Sequence, residues 1–498
     1  MKKNKIKDAF ILFFRINERN SNIKREIIGG LLTFICMCYI LPVNATILSS
    51  MGMNQNGVFA ITAIVASIST IMMGLLANYP IVLSSGMGLN AYLAYTICGQ
   101  IFNDSYMWQK SLIVLTFSGL LFFIFSITPL RQKILKSISN DIKSIISACL
   151  GIFLCFVALK NSGIIVSDNG TFLKFGQLIK EINNNGVLII DPTSLISLFG
   201  IILIISIAFL KIKNFSLKNL SIPITILILT ILSIICAYSN LNIYGKTLSD
   251  GSYNNGLINF KDSSIWLPSG IKDVVFFGYL NNQSISFSNL LVETLKEPRT
   301  YIAIFGLFIV NIFDTTSTLF SVTSEININN DTTEILNLKR AMFADSFGCL
   351  ISGPLGTSSV TTLAESTIGV SYGARTGLSS IITGLLILAC VFLYPIFNYI
   401  TASCITAPIL FFVGFTIFNN SFQKINFKDI ILSFSFSISI IFTLLTYSIT
   451  KGVGLGLIFY TIMMLINSRK KELNITTTII TILFLINLLL GEILSHLK

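Results

Sequence analysis

The sequence predicts an all-α polytopic membrane protein with about fourteen spans arranged as two inverted seven-span repeats. Three observations support this expectation. Charge is scarce: 11% of the 498 residues are charged and 53% are hydrophobic, with a mean hydropathy of +0.80, whereas soluble domains carry roughly 25% charge. Apolar runs of the length a helix needs to cross hydrocarbon recur from Ile27 to Leu490. Two Pro/Gly/Ser-rich interruptions also fall at matching places in the two halves of the chain.

Candidate spans lie near 27–50, 57–78, 87–101, 110–128, 142–160, 191–210, 218–238, 300–323, 339–355, 360–373, 376–396, 402–418, 430–449 and 452–467, with a surplus apolar stretch at 474–490. The basic, amphipathic segment 1–26 lacks a cleavage pattern and reads as a cytoplasmic lead-in lying on the membrane surface. With the N-terminus inside, loops after even-numbered spans should be cytoplasmic and basic. They contain Arg131, Lys133 and Lys136, then Lys211, Lys213 and Lys218, then Lys339 and Arg340, then Arg375, then Lys424 and Lys428, then Arg469, Lys470 and Lys471. The register holds throughout, and it places the polar segment 239–298 outside. This pattern also accounts for the net charge of +12 without any nucleic-acid partner. The expected setting is the lipid bilayer of a cell (inner) membrane.

The interruptions sit at the third span of each half. Span 3 is entered through Tyr79-Pro80 and runs on through Ser84-Ser85-Gly86-Met87-Gly88 to Asn90. Span 10 is entered through Gly353-Pro354-Leu355-Gly356-Thr357-Ser358 and runs on to Glu365. Paired broken helices of this kind point to a midplane binding site. The Gly86-Met87-Gly88 pattern has no βαβ context, so it reads as a place of close backbone approach rather than a phosphate loop. Span 1 carries a polar cluster from Pro42 to Thr46. Span 8 carries another at Asn311, Asp314, Thr315, Thr316, Ser317 and Thr318.

Acids inside the predicted spans are confined to the second half: Asp314, Asp345 and Glu365. An ionised acid at the bilayer centre costs on the order of 3 kcal/mol even on insertion scales, so such residues face a polar path or lock helices together. Glu365 and Asp314 read as path residues, and Asp345 divides between the two roles. The only histidine is His496, in the tail, which leaves any proton handling to carboxylates. The nine cysteines lie in or beside apolar runs at spacings that match no zinc or redox pattern. No nucleophile–base pair, metal cluster or cofactor motif is present, so neither enzyme activity nor a cofactor is expected.

The stretches 75–96, FDTTSTL (313–319), RAMFAD (340–345) and GTSSVTTLAESTIGVSYGARTGL (356–378) resemble the AzgA-like purine permeases, a branch of the nucleobase:cation symporter-2 family. The resemblance runs from about Gly29 to Asn467. It implies a core domain of spans 1–4 and 8–11 (27–130 and 299–396) and a gate domain of spans 5–7 and 12–14 (131–238 and 397–467). The loop 239–298 and the tail 468–498 lie outside both. It further implies purine:proton symport by alternating access, with a homodimer as a possible state. By motif position, Asn90, Asn311, Asp314 and Glu365 would bind the base, and Asp314 and Glu365 would carry the proton. Gly86, Gly88, Thr315, Thr357, Ser358 and Asp345 would support them. Three positions depart from the family pattern. Asn311 stands where an acid is frequent, Ser317 where glycine is usual, and Ala374 replaces the first glycine of a GGRTGL run. A carboxylate suits the paired N–H donors of guanine or the single one of hypoxanthine, while an amide suits adenine. The sequence therefore leaves base preference open, xanthine included, and an anion transporter or an uncoupled facilitator on the same architecture is the alternative.

The charge register makes a direct prediction. In a cysteine-free background, a cysteine at Asn255 should react with an impermeant thiol reagent in intact cells, and one at Gln423 should not. Equal labelling of both from outside would break the fourteen-span register.

Overall fold

The structure is a computed structural model. It describes residues 11–102, 106–128, 140–168, 172–176, 179–182, 188–190, 192–212, 215–216, 221–238, 270–278, 287–326, 338–363, 365–393, 397, 403–446, 449–467, 469, 473–474, 477–479, 481–482 and 484–485.

Helices occupy the apolar runs nearly one for one. They are α1 (Ile23–Met37), α2 (Ile40–Ser49), α3 (Gln55–Met72, extended by a wider turn over Met73–Ala77), α4 (Met87–Ala91, continuing as Tyr92–Ile101), α5 (Met107–Ile127) and α6 (Asn140–Asn161). Next come α7 (Pro192–Phe209), α8 (Ser221–Tyr238), α9 (Ile271–Val274), α10 (Phe287–Lys296), α11 (Pro298–Ile326) and α12 (Leu338–Leu355). The last are α13 (Ser366–Ser371), α14 (Gly377–Cys390), α15 (Ser403–Phe422), α16 (Ile430–Leu445) and α17 (Ile449–Ile466). Among the described residues, five helical stretches are long and apolar enough to cross a membrane, and shorter apolar helices accompany them. Strands are short and pair two by two: β1 (Leu83–Ser85) with β8 (Val360–Thr362), β2 (Ile165–Asp168) with β3 (Phe172–Phe175), β4 (Ile179–Ile182) with β5 (Leu188–Ile190), and β6 (Lys211–Ile212) with β7 (Phe215–Ser216).

The chain divides into two compact units. One comprises Met1–Leu150, Pro268–Val391 and Phe418–Lys498; the other comprises Gly151–Leu267 and Phe392–Ile417. In the second unit α7 packs on α8, and the three hairpins β2–β3, β4–β5 and β6–β7 occupy the connections on either side of α7. The first unit holds both interruptions, and local chemistry sets where each begins. Past Ala77 the chain turns at Asn78 with a left-handed φ of 55°, and the Tyr79-Pro80 step disfavours helix before the proline. At the other interruption, Gly356 has φ +87°. Its N–H bonds to the carbonyl of Gly353, and the Thr357 N–H bonds back to that of Ser352. This paired closure is the Schellman arrangement that ends helices at glycine.

The described part of the N-terminal lead-in, from Ile11 onward, is folded against the helices. It docks on the first unit, because it supplies partners for backbone groups left open at the interruptions. Arg19 donates to the carbonyls of Asn78 and Arg375, the latter at 2.9 Å, and Ser21 donates to that of Gly373 at 3.1 Å. The buried Glu26 accepts from the backbone N–H of Arg375 (2.8 Å) and of Thr376 (3.3 Å). Part of the 239–298 segment also folds inward: Val274 is fully buried, and Asp273 accepts from Asn54 Nδ2 at 2.8 Å. Within the surplus stretch 474–490, the described positions 477–479, 481–482 and 484–485 are helical. Thr481 pairs with Thr461 of α17 at 2.9 Å, and the Phe484 ring lies against Gly454.

Small residues allow α14 to approach α3 closely. A Cβ added at Gly377 would stand 2.0 Å from the Gly74 carbonyl oxygen, so backbone must move to admit it. Gly377→Ala should therefore lower the thermal midpoint in detergent, at a cost of about 1–3 kcal/mol. Gly99→Ala, whose Cβ would meet nothing nearer than 3.6 Å, should leave the midpoint unchanged. Equal midpoints for the two variants would refute this account of the contact.

Candidate functional site

The two interruptions meet as one antiparallel ladder, pairing Leu83 with Thr362, Ser84 with Thr361 and Ser85 with Val360. Flanking bonds extend it: the Gly86 N–H reaches the Ser359 carbonyl and the Leu363 N–H reaches the Val82 carbonyl, both at 3.1 Å. Backbone exposed by breaking one helix is thus satisfied by the backbone of the other. Because the strands run in opposite directions, their following helices leave from opposite ends of the ladder. Asn90 sits in the first turns of α4, and Glu365 stands immediately before α13.

Asn90 is fully buried, and neither atom of its amide meets a hydrogen-bond partner among the described residues. The hydroxyls of Ser84, Ser85 and Thr361 are buried and unpartnered in the same way. Leaving a buried polar group unsatisfied costs roughly 1–3 kcal/mol, so these groups retain hydrogen-bonding capacity that the described residues do not use. Glu365 is half-buried, and its Oε1 accepts from the hydroxyl of Tyr39 at 2.7 Å. On α11, Asn311 donates through Nδ2 to Cys349 Sγ at 2.8 Å, and that sulfur lies 3.1 Å from the Ser359 hydroxyl. The side-chain amide oxygen of Asn311, Oδ1, meets no partner among the described residues. Thr362 donates to the Thr315 carbonyl at 3.0 Å, which fastens β8 to α11.

Other expected site residues take different places. Thr357 and Ser358 belong to a closed network around the buried Asn44. The Asn44 amide donates to Thr62 (2.8 Å) and Thr357 (3.2 Å), and its oxygen accepts from Ser358 at 3.0 Å. That network joins α2, α3 and the approach to β8, with its polar groups directed at one another. Gly88 does admit a close approach, but by the Leu150 side chain rather than by backbone: a Cβ there would stand 2.0 Å from it. Gly86 serves the ladder through its N–H. Asp345 is fully buried on α12. The side chain of Asp314 lies outside the described residues, as does that of Ser317. Ala374 fits because it faces Gly29, where a Cβ would come within 2.6 Å of its own. The groove along α16 and α17, about 1020 Å³ and lined by Lys428, Phe434, Phe459 and Arg469 among others, includes none of these residues.

The sequence marked Asn44 only as part of the span-1 polar cluster, and it gave Tyr39 and Cys349 no part. The one available signal was Pro42, three residues beyond Tyr39. A proline has no N–H to give the Cys38 carbonyl, which takes the Leu41 N–H at 3.3 Å instead. The helix is broken there between α1 and α2, and the break turns Tyr39 toward Glu365.

Comparison with known proteins agrees with this architecture. The guanine/hypoxanthine permease PbuO of Bacillus subtilis is 29% identical over 95% of this chain and 99% of its own length. The guanine/hypoxanthine permease PbuG of the same organism is 30% identical over 93% and 95%, and the adenine permease AdeP of Escherichia coli is 29% identical over 95% of each. Among solved structures, the transmembrane domain of the cyanobacterial bicarbonate transporter BicA superposes with a TM-score of 0.56, at 16% identity, over 85% of this chain and 97% of that one. SLC26A9 gives 0.55 at 12% identity, over 92% and 70%. These likenesses establish the fold as that of a polytopic helical membrane transporter. The model of the permease family Xan_ur_permease matches residues 24–455, and the chain belongs to that family: it is a multi-pass membrane transport protein and not an enzyme.

Proposed function

We propose that this permease imports purine nucleobases by proton symport with alternating access, binding the base at the ladder between Asn90 and Glu365. The observation that carries this reading is the fully buried Asn90 amide, unpartnered at one end of the ladder, with the Glu365 carboxylate at the other. An amide offers a donor and an acceptor side by side, and a carboxylate offers two acceptors. Together they complement the edge of a purine, which carries ring N–H, exocyclic amine and carbonyl groups. The relatives named above are guanine/hypoxanthine and adenine permeases, which supports a purine over other flat solutes. The structural neighbours include a bicarbonate transporter, but the broken segments 79–90 and 353–365 contain no Lys or Arg to hold an anion.

In this reading the architecture is fourteen spans in two inverted sevens, broken at spans 3 and 10, with the N-terminus cytoplasmic in the inner membrane. The core domain is 27–130 with 299–396, and the gate domain is 131–238 with 397–467. Asn90, Asn311, Asp314 and Glu365 contact the base. Asp314 and Glu365 carry the proton, since the only histidine in the sequence is His496, in the C-terminal tail. Thr315 fastens β8, Thr357 and Ser358 hold the approach to it, and Asp345 supports the bundle.

Uptake of labelled hypoxanthine in a transport-null host, competed by guanine, adenine and xanthine in turn, tests the substrate class. Competition by none of them would end the purine reading. Glu365→Gln turns an acceptor into a donor and should weaken guanine binding roughly 5- to 150-fold; unchanged affinity would remove Glu365 from the site. Asp314→Asn in proteoliposomes should still exchange base by counterflow but fail to accumulate it against a gradient when a pH gradient is imposed. Accumulation equal to that of the native protein would show that Asp314 is not the coupling group.

A further inference from the structure

We infer that Tyr39 is the positioning residue of the base site: its hydroxyl fixes Oε1 of Glu365 and turns Oε2 toward the ligand. The inference rests on the reading of Glu365 as a base-binding group. Tyr39 is 1% exposed and stands at the joint between α1 and α2 opened by Pro42. A buried tyrosine needs a partner for its hydroxyl, and this one donates to Glu365 Oε1 at 2.7 Å, across 326 residues of sequence. The Glu365 side chain makes no cap for α13, so it is free to serve another purpose. Left alone, a half-buried glutamate would sample several rotamers at a site that needs one orientation.

The helices that flank the pair, α1 before Tyr39 and α13 after Glu365, pack closely. A Cβ at Gly369 of α13 would come within 2.4 Å of the Thr33 hydroxyl and 2.8 Å of the Gly29 carbonyl, both on α1. This close packing of α1 on α13 brings the end of one near the start of the other, where Tyr39 and Glu365 meet. The phenol engages one carboxyl oxygen, and in the ionised state of Glu365 that bond is charge-assisted and stronger than a neutral one. The other oxygen is then presented in a defined direction, as a site that discriminates among similar ligands requires.

The test uses the full-length protein in proteoliposomes. Tyr39→Phe keeps the ring and removes the donor. It should raise KM for hypoxanthine counterflow about tenfold, the equivalent of ~1.4 kcal/mol, with maximal rate and thermal midpoint close to native. In a Glu365→Gln background the same change should have no further effect on KM, because the bond it removes is already altered. A native KM for Tyr39→Phe, or effects of the two substitutions that multiply independently, would overturn the inference and leave Tyr39 a packing residue. Should Tyr39→Phe fail to fold, a fluorotyrosine at position 39 retains ring and hydroxyl while making the donor more acidic. A shift in KM is then expected, and an unchanged KM is contrary. Infrared spectra separate this inference from the functional reading. The carboxylate band that disappears in Glu365→Gln should shift in Tyr39→Phe whether or not hypoxanthine is carried. A band that stays in place sinks the Tyr39 inference alone, whereas a native protein that carries no purine sinks the functional reading.

Discussion

The backbone pairing of two broken helices is the constraint on which the rest depends. Within hydrocarbon an unsatisfied N–H or carbonyl costs several kcal/mol, so non-helical backbone survives only where protein satisfies it. Here the chain at 82–86 and the chain at 359–363 satisfy each other through β1, β8 and the flanking Gly86 and Leu363 bonds. Neither interruption could persist without its counterpart. The ladder in turn fixes where α4 and α13 begin, and so where Asn90 and Glu365 stand.

Supporting contacts serve the same arrangement. On one side, Asn44, Thr62, Thr357 and Ser358 close a fully bonded polar network beside the approach to β8. On another, Thr362 and Thr315 attach β8 to α11. Toward the N-terminal segment, Arg19, Asn78 and Glu26 satisfy the backbone around Asn78 and 375–377. These saturated networks contrast with Asn90, Ser84, Ser85 and Thr361, whose side-chain polar atoms meet no partner among the described residues. A fully satisfied polar cluster rigidifies, and an unsatisfied one has capacity left for a ligand.

Much of the helical layout was legible in the sequence, because apolar runs of membrane length admit few alternatives. The interruptions were legible as well, since Pro80, Pro354 and Gly356 act locally and need no knowledge of the fold. What joins them was not legible. The pairing of β1 with β8 is a long-range event that leaves no periodic trace in three-residue strands. The link between Ser358 and Asn44 spans 314 residues, so the sequence marked Thr357 and Ser358 as supporting residues without showing what they bond. Tyr39 was invisible for the same reason: one tyrosine in an apolar run signals nothing until Glu365 is placed beside it. The contacts of the lead-in were not legible either, because a basic amphipathic segment does not announce that Arg19, Ser21 and Glu26 will meet the backbone at 373–376.

The central claim is that the joined interruptions form one base site between Asn90 and Glu365. A cryo-electron microscopy structure of the protein with hypoxanthine bound tests it most directly. The account predicts density for the base against the ladder, within hydrogen-bond distance of the Asn90 amide and of Glu365 Oε2. Density elsewhere, such as in the groove along α16 and α17, with Asn90 still unpartnered, would contradict it.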